Sequence, residues 1–158
     1  MNENIFREKY HKYKQMIFNI CYSYLKMHDD AEDVMQDSFI SFYHLNKSFI
    51  NDDQEKYYLI RMTINNCKNM IKKNKHIYHF KDDEVNNLKS SNIIEESNII
   101  DIISFLDNKF KEVIILKYAE ALSNKEIASA LKISEENVRK RLERAIKTLK
   151  NKWEVTIK

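Results

Sequence analysis

The stretch that decides the fold runs Ser123-Asn-Lys-Glu-Ile-Ala-Ser-Ala-Leu-Lys-Ile-Ser-Glu-Glu-Asn-Val-Arg-Lys-Arg-Leu-Glu-Arg-Ala145. It predicts two short helices joined by a sharp turn. Ser123 with Glu126 three residues on is a capping box, which starts a helix. Ile127, Ala128 and Leu131 supply its apolar stripe. Ser134 caps a second helix, with Glu135 and Glu136 in the first turn, where the helix dipole favours negative charge. At roughly 100° per residue, Val138, Leu142, Ala145, Ile146 and Leu149 fall on one face, which is expected to pack inward. Glu136, Lys140, Glu143, Arg144 and Lys147 cluster opposite, flanked by Asn137 and Arg139. A lone helix of this kind could equally be a solvated surface helix. The short partner helix and tight connection favour a helix-turn-helix, whose second helix lies in the DNA major groove. Glu136, Asn137, Arg139 and Lys140, near its start, are then placed to reach base edges, while Arg144 and Lys147 hold phosphates and Ser134, the cap, counts among the DNA-binding residues. The glutamates repel phosphate and suit positions near cytosine amino groups, or a face turned away.

Outward from this stretch, the 158 residues hold no Gly and no Pro. Tight hairpins are thereby disfavoured, and an all-α chain is expected. The net charge of +3 says little. Its distribution says more: residues 28–55 carry −7, residues 56–81 carry +7, and the charge returns to negative between 82 and 101. Blocks of alternating sign imply separate surfaces for separate partners. Cys21 and Cys67 each sit within an apolar helical stripe and read as buried free thiols in a reducing compartment. No apolar run approaches membrane-spanning length and no signal peptide is evident, so a cytoplasmic protein without membrane insertion is expected.

Ile5, Phe6, Tyr10, Tyr13, Ile17, Ile20, Tyr24 and Leu25 recur at helical spacing and predict a first long helix. A second is expected over about 30–45 and a third over about 55–75, with 46–54 as a loop. The pattern weakens through Asp82-Asp83-Glu84 and Ser90-Ser91-Asn92. The expected organisation is two small helical domains, 1–80 and 99–158, joined by a flexible acidic linker, 81–98. Ile102, Ile103, Leu106, Phe110, Val113, Ile114 and Leu116 are core candidates of the second domain.

Two more faces invite partners. On the third helix, Leu59, Ile60, Thr63, Cys67, Met70 and Ile71 share one side. Arg61, Asn65, Lys68, Lys72 and Lys75 share another, a basic stripe suited to a phosphate backbone. Lys56, Tyr57 and Tyr58 stand at its start, and rings beside cations are what unpaired bases stack on. On the second helix, Ala31, Val34, Met35, Ser38, Phe42 and Leu45 face inward. Asp33, Gln36, Asp37, Ile40 and His44 face out, and an exposed Ile framed by acids and an amide suits protein docking. An ordinary solvated charged face would show the same pattern in either helix.

Asp29-Asp30-Ala31-Glu32-Asp33 also matches the DDxxD pattern by which isoprenoid synthases hold magnesium. The chain is too short for that large bundle and carries no second such motif. His76 and His79 form at most half a metal site. No catalytic residue, metal or cofactor is expected.

Taken together, these residues resemble a bacterial RNA polymerase sigma factor of the sigma-70 family, in its small extracytoplasmic-function group. Ala31-Glu32-Asp33-Val34 with Gln36-Asp37-Ser38-Phe39 resembles the core-binding helix of region 2. Tyr58-Leu59-Ile60-Arg61-Met62-Thr63-Ile64-Asn65 resembles the promoter-melting helix. Leu106-Asp107 through Tyr118, then 123–149, resemble region 4. The resemblance implies a non-enzymatic initiation factor that binds core RNA polymerase at the β′ clamp and β flap. It implies core contacts through Asp33, Gln36, Asp37 and Ile40. The −10 element would be engaged through the loop 46–54 and the helix after it, with Lys56, Tyr57, Tyr58, Arg61, Asn65, Lys68 and Lys72, and the −35 element through the helix from Ser134. An anti-sigma protein would be a further partner. The chain departs from the family pattern at Tyr58 (commonly Trp), Asn69 (commonly Asp), Ala121 and Lys132 (often Gly) and Glu136-Asn137 (commonly Gly-Thr). The alternative class is a DNA-binding regulator that acts without core polymerase, or a sigma-like subunit that needs a second protein.

Overall fold

The computed structural model describes residues 1–74, 103 and 105–157. The expected linker 81–98, Lys75, His76, His79, Ile99 and Ile102 lie outside the described residues. The chain divides into two compact units, Met1–Ser97 and Asn98–Lys158. All regular structure among the described residues is helical.

The first unit holds α1 (Glu3–Leu25), α2 (His28–Tyr43) and α3 (Asp52–Lys73). Asn2 Oδ1 accepts the Asn4 N–H at 2.7 Å and starts α1, and Asn51 Oδ1 accepts the Gln54 N–H at 2.9 Å and starts α3. Side-chain oxygens at such positions satisfy N–H groups that the helix itself cannot. Asp52, Asp53 and Gln54, expected in a loop, therefore form the first turn of α3, where Asp52 and Asp53 also complement the dipole. Each helix packs on the other two. Ile17, Ile20, Cys21 and Leu25 of α1 meet Ala31, Val34, Phe39 and Phe42 of α2 and Leu59, Ile60, Ile64 and Cys67 of α3, all buried. Phe39 and Ile64 join the core beyond the expected set, while Met70 and Ile71 are only half-buried near the end of α3. Cys21 and Cys67 are free and buried, and their mutual contact together with burial pushes the Cys67 thiol well up. Such thiols behave as small core hydrophobes rather than nucleophiles.

The second unit holds α4 (Asn108–Ile114), a π-helical turn (Ile115–Ala119), α5 (Asn124–Leu131) and α6 (Glu135–Ile157). Among the described residues its core includes Ile103, Leu106, Val113, Ile114, Ile115, Leu116, Leu122, Ile127, Val138, Leu142 and Ala145. Ile146, expected among them, is 43% exposed. At about 100° per residue it lies some 80° around α6 from Val138, off the stripe that Val138, Leu142 and Ala145 keep.

A chain without glycine must still turn its corners. Among the described residues, three have positive φ: Lys26 at 61°, Ala121 at 56° and Lys132 at 55°. Lys26 and Lys132 close α1 and α5 in the left-handed region, and their N–H groups return to the Tyr22 and Ala128 carbonyls. Ala121 follows the π turn, and the next N–H, of Leu122, returns to Leu116 O at 2.9 Å. Each left-handed non-Gly residue costs about 1–2 kcal/mol. The returned bonds and the packing that follows offset the cost.

Candidate functional site

The helix-turn-helix is built as its caps dictate. Ser123 Oγ accepts the Glu126 N–H and Ser134 Oγ accepts the Asn137 N–H, each at 3.1 Å. Lys132 turns the chain between them at φ 55° and ψ 47°. Val138, Leu142 and Ala145 bury one side of α6, leaving Ser134, Glu136, Asn137, Arg139, Lys140, Arg144 and Lys147 exposed. Glu136 lies 3.5 Å from Lys140 and 3.9 Å from Arg139, so one carboxylate serves two of the predicted reading cations. Exposed pairs of this kind contribute little to stability. Asn124 and Glu135 join Glu136 and Arg139 around a cleft of about 450 Å³ at the start of both helices. Asn124 was not among the predicted site residues.

Beneath α6, Arg141 Nη1 donates to Glu112 Oε1 of α4 at 3.4 Å. Glu112 is buried, and burial pushes its carboxyl up to about 7 against the opposing pull of Arg141.

In the first unit, Asn65, Lys68 and Lys72 line one exposed face of α3, with Arg61 half-buried at its head. Tyr58 stands where that face begins. Lys47 Nζ lies 4.6 Å from the Tyr58 ring centroid, and Phe49 lies 5.4 Å from it, tilted by 58°. Ile50, on the same loop, is 93% exposed. Cation, rings and exposed apolar side chain together form a surface on which unpaired bases can stack. Lys47 and Phe49 lie in the loop expected at the −10 element but were not singled out in sequence, because the loop, not helical spacing, brings them to Tyr58. Tyr57, expected on the same surface, is buried at 9% exposure. It shares the stripe of Ile60, Ile64 and Cys67, and adjacent helical residues point about 100° apart. Lys56 is half-buried.

On α2, Asp33, Gln36, Asp37 and Ile40 are exposed, Ile40 at 56%. Ile40 also lines an open groove of about 590 Å³ with Phe6, Tyr10, Tyr43 and His44. Phe6 packs edge-on against Tyr43 at 4.9 Å between centroids. The groove has no signal within one helix, since α1 and α2 each supply half. In the DDxxD stretch, His28 Nδ1 lies 3.6 Å from Asp29 and 3.8 Å from Glu32. His28 and Asp29 are exposed and Glu32 is half-buried, at a helix start, where acids are favoured by the dipole. Among the described residues no helix is long and apolar enough to cross a membrane.

Comparison with known proteins gives this arrangement its class. Residues 10–77 match sigma-70 region 2, and residues 97–149 match sigma-70 region 4. The chain belongs to the sigma-70 family of RNA polymerase sigma factors, in the extracytoplasmic-function group. It is an RNA polymerase sigma factor and not an enzyme. Among its relatives is the ECF RNA polymerase sigma factor SigW of Bacillus subtilis (strain 168), 29% identical with 87% of this chain and 83% of SigW covered. RNA polymerase sigma factor SigV of the same organism is 24% identical, with 87% and 84% covered. Among solved structures, CnrH in complex with the cytosolic domain of CnrY has a TM-score of 0.74 at 22% identity, over 98% of this chain and 90% of that one. Sigma factor RpoE in complex with the anti-sigma factor NepR, from Bartonella quintana, has a TM-score of 0.66 at 18% identity, over 95% and 97%.

Proposed function

We propose that the three exposed faces divide the work of initiation between two domains, 1–80 and 99–158. Asp33, Gln36, Asp37 and Ile40 dock on the β′ clamp of core polymerase, and the second domain meets the β flap. Tyr58, with Lys47 and Phe49, receives unpaired bases of the −10 element, while Arg61, Asn65, Lys68 and Lys72 follow the strand's phosphates. The helix from Ser134 reads the −35 element.

One observation carries this reading. An acidic face with an exposed Ile and a basic stripe occupy different helices of the same three-helix unit. A regulator acting through its helix-turn-helix alone has no use for either. The work is done where polymerase and chromosome are, in the cytoplasm. RpoE of Bartonella quintana is held by an anti-sigma factor, which supports a proposal that an anti-sigma protein also binds this chain.

Run-off transcription tests the reading. With core polymerase and a template carrying the chain's own upstream region, a discrete transcript is expected only when the protein is added. Promoter binding in the absence of core, with no transcript in its presence, would favour the core-independent regulator. A transcript that appears only after a second protein is supplied would favour the two-subunit alternative.

A further inference from the structure

We propose that Glu112 is a positioning residue for the reading helix: through Arg141, its carboxylate fixes the rotation of α6 and so the presentation of Arg139 and Lys140 to DNA. The inference rests on the reading of α6 as the −35 helix.

The geometry is a tie between two helices distant in sequence. Glu112 lies in α4 and is 6% exposed. Its Oε1 accepts from Arg141 Nη1 at 3.4 Å, and the Arg141 side chain is 28% exposed. Arg141 follows directly on Arg139 and Lys140. On the helical wheel it lies between Lys140 and the buried Val138, at the edge where the packed side meets the exposed side. Apolar packing by Val138, Leu142 and Ala145 holds α6 against the unit but is non-directional. A charge-assisted hydrogen bond has a direction, and one placed at this edge resists rolling of the helix about its axis.

The pair is poorly explained as a source of stability. Burial pushes the Glu112 carboxyl up to about 7, so desolvation outweighs the attraction of Arg141. Buried ion pairs of this kind can cost stability relative to an uncharged alternative. Of the charged groups on the elements packed against α4, Arg141 of α6 acts directly on the Glu112 carboxyl. The π turn carries Lys117, α4 itself Lys109 and Lys111, and the rest of α6 near Arg141 carries Glu136, Arg139, Lys140, Glu143 and Arg144.

Two opposite pH dependences follow. Because the folded-state value lies above the ordinary 4.5, the neutral carboxyl is favoured in the folded unit. The stability it contributes is full below 4.5 and is lost as pH rises through about 7. The ionised tie to Arg141 behaves inversely: it is complete above about 7 and is lost as the carboxyl takes its proton below it.

The test uses the full chain assembled with core polymerase. Two templates differing by one −35 base pair are transcribed together between about pH 6 and 8.5, and the ratio of transcripts is read at each pH. The ratio cancels the pH dependence of polymerase itself. For the parent it should rise about tenfold with pH, as expected when one charge-assisted hydrogen bond is completed. For Glu112→Gln it should stay low and flat. Thermal melting of the free chain should move the other way: the parent loses stability over this range and Glu112→Gln does not. A ratio that rises with pH in Glu112→Gln as in the parent overturns the proposal. If that variant does not fold, the parent decides alone, and a ratio well above one that is constant with pH overturns the proposal. A parent that never distinguishes the two templates, at any −35 pair tried, removes the −35 assignment of α6 itself.

Discussion

Reversing two charges on α2, Asp33→Lys together with Asp37→Lys, is expected to abolish stable binding to core polymerase while leaving the chain folded. Both side chains are exposed, and the inner face of α2, with Ala31, Val34, Phe39 and Phe42, is untouched. Folding therefore has little at stake, because surface substitutions away from caps and cores usually change stability by less than about 0.5 kcal/mol. Binding has much more at stake. Removing one partner of a desolvated interfacial charge pair costs about 2–5 kcal/mol, and reversal adds repulsion. At the low end, that is about a 30-fold loss of affinity for each position. Fluorescence titration with core measures the affinity, and far-ultraviolet circular dichroism checks the helices. Unchanged affinity with intact helices would remove Asp33 and Asp37 from the interface.

Removing the basic stripe, with Arg61→Ala, Lys68→Ala and Lys72→Ala together, is expected to suppress promoter melting while core binding survives. Lys68 and Lys72 are exposed and Arg61 is half-buried, so the loss falls on the strand they would follow. Each cation withdrawn from a phosphate should lower the slope of log affinity against log salt by roughly 0.7–0.9. The triple variant should therefore reduce the slope by about 2. The parent and the variant should differ most at low salt and converge as salt rises. Permanganate footprinting of the −10 region across a salt series reads both effects. Normal melting at every salt concentration would make this stripe a solvated face and nothing more.

The caps of α5 and α6 were legible because their causes are local, whereas Asn51, which starts α3, was read as loop. Ser123 and Ser134 each hold an N–H three residues away, and spacing alone exposes the relation. The left-handed corners at Ala121 and Lys132 were legible only through resemblance, as places where the family often has Gly. Nothing in a Lys or an Ala announces positive φ. The acidic face of α2 and the stripe of α3 followed from helical period. The same period, read too loosely, put Tyr57 beside Tyr58 on the surface and Ile146 in the core. What sequence could not show is what tertiary structure brings together. Lys47 and Phe49 reach Tyr58 around a loop, Phe6 and Tyr43 form a groove from two helices, and Glu112 meets Arg141 across 29 residues. These groups carry no mutual spacing rule, and each becomes visible only once α1 to α6 are packed.

The division of α6 into base-reading and phosphate-holding residues is open to one direct measurement: transcription of a promoter library with every −35 position randomised. The inward side of α6 is set by Val138, Leu142 and Ala145, so Arg139 and Lys140 stand outward near its start and Lys147 lies about two turns further on. Arg139→Ala or Lys140→Ala should change which −35 base pair is preferred, by roughly 1–3 kcal/mol at one position. Lys147→Ala should weaken all promoters about equally. Identical preferences in the parent and in the Arg139 and Lys140 variants, with only total output reduced, would contradict the assignment. Base reading would then lie elsewhere in the chain, and this helix would be a phosphate anchor.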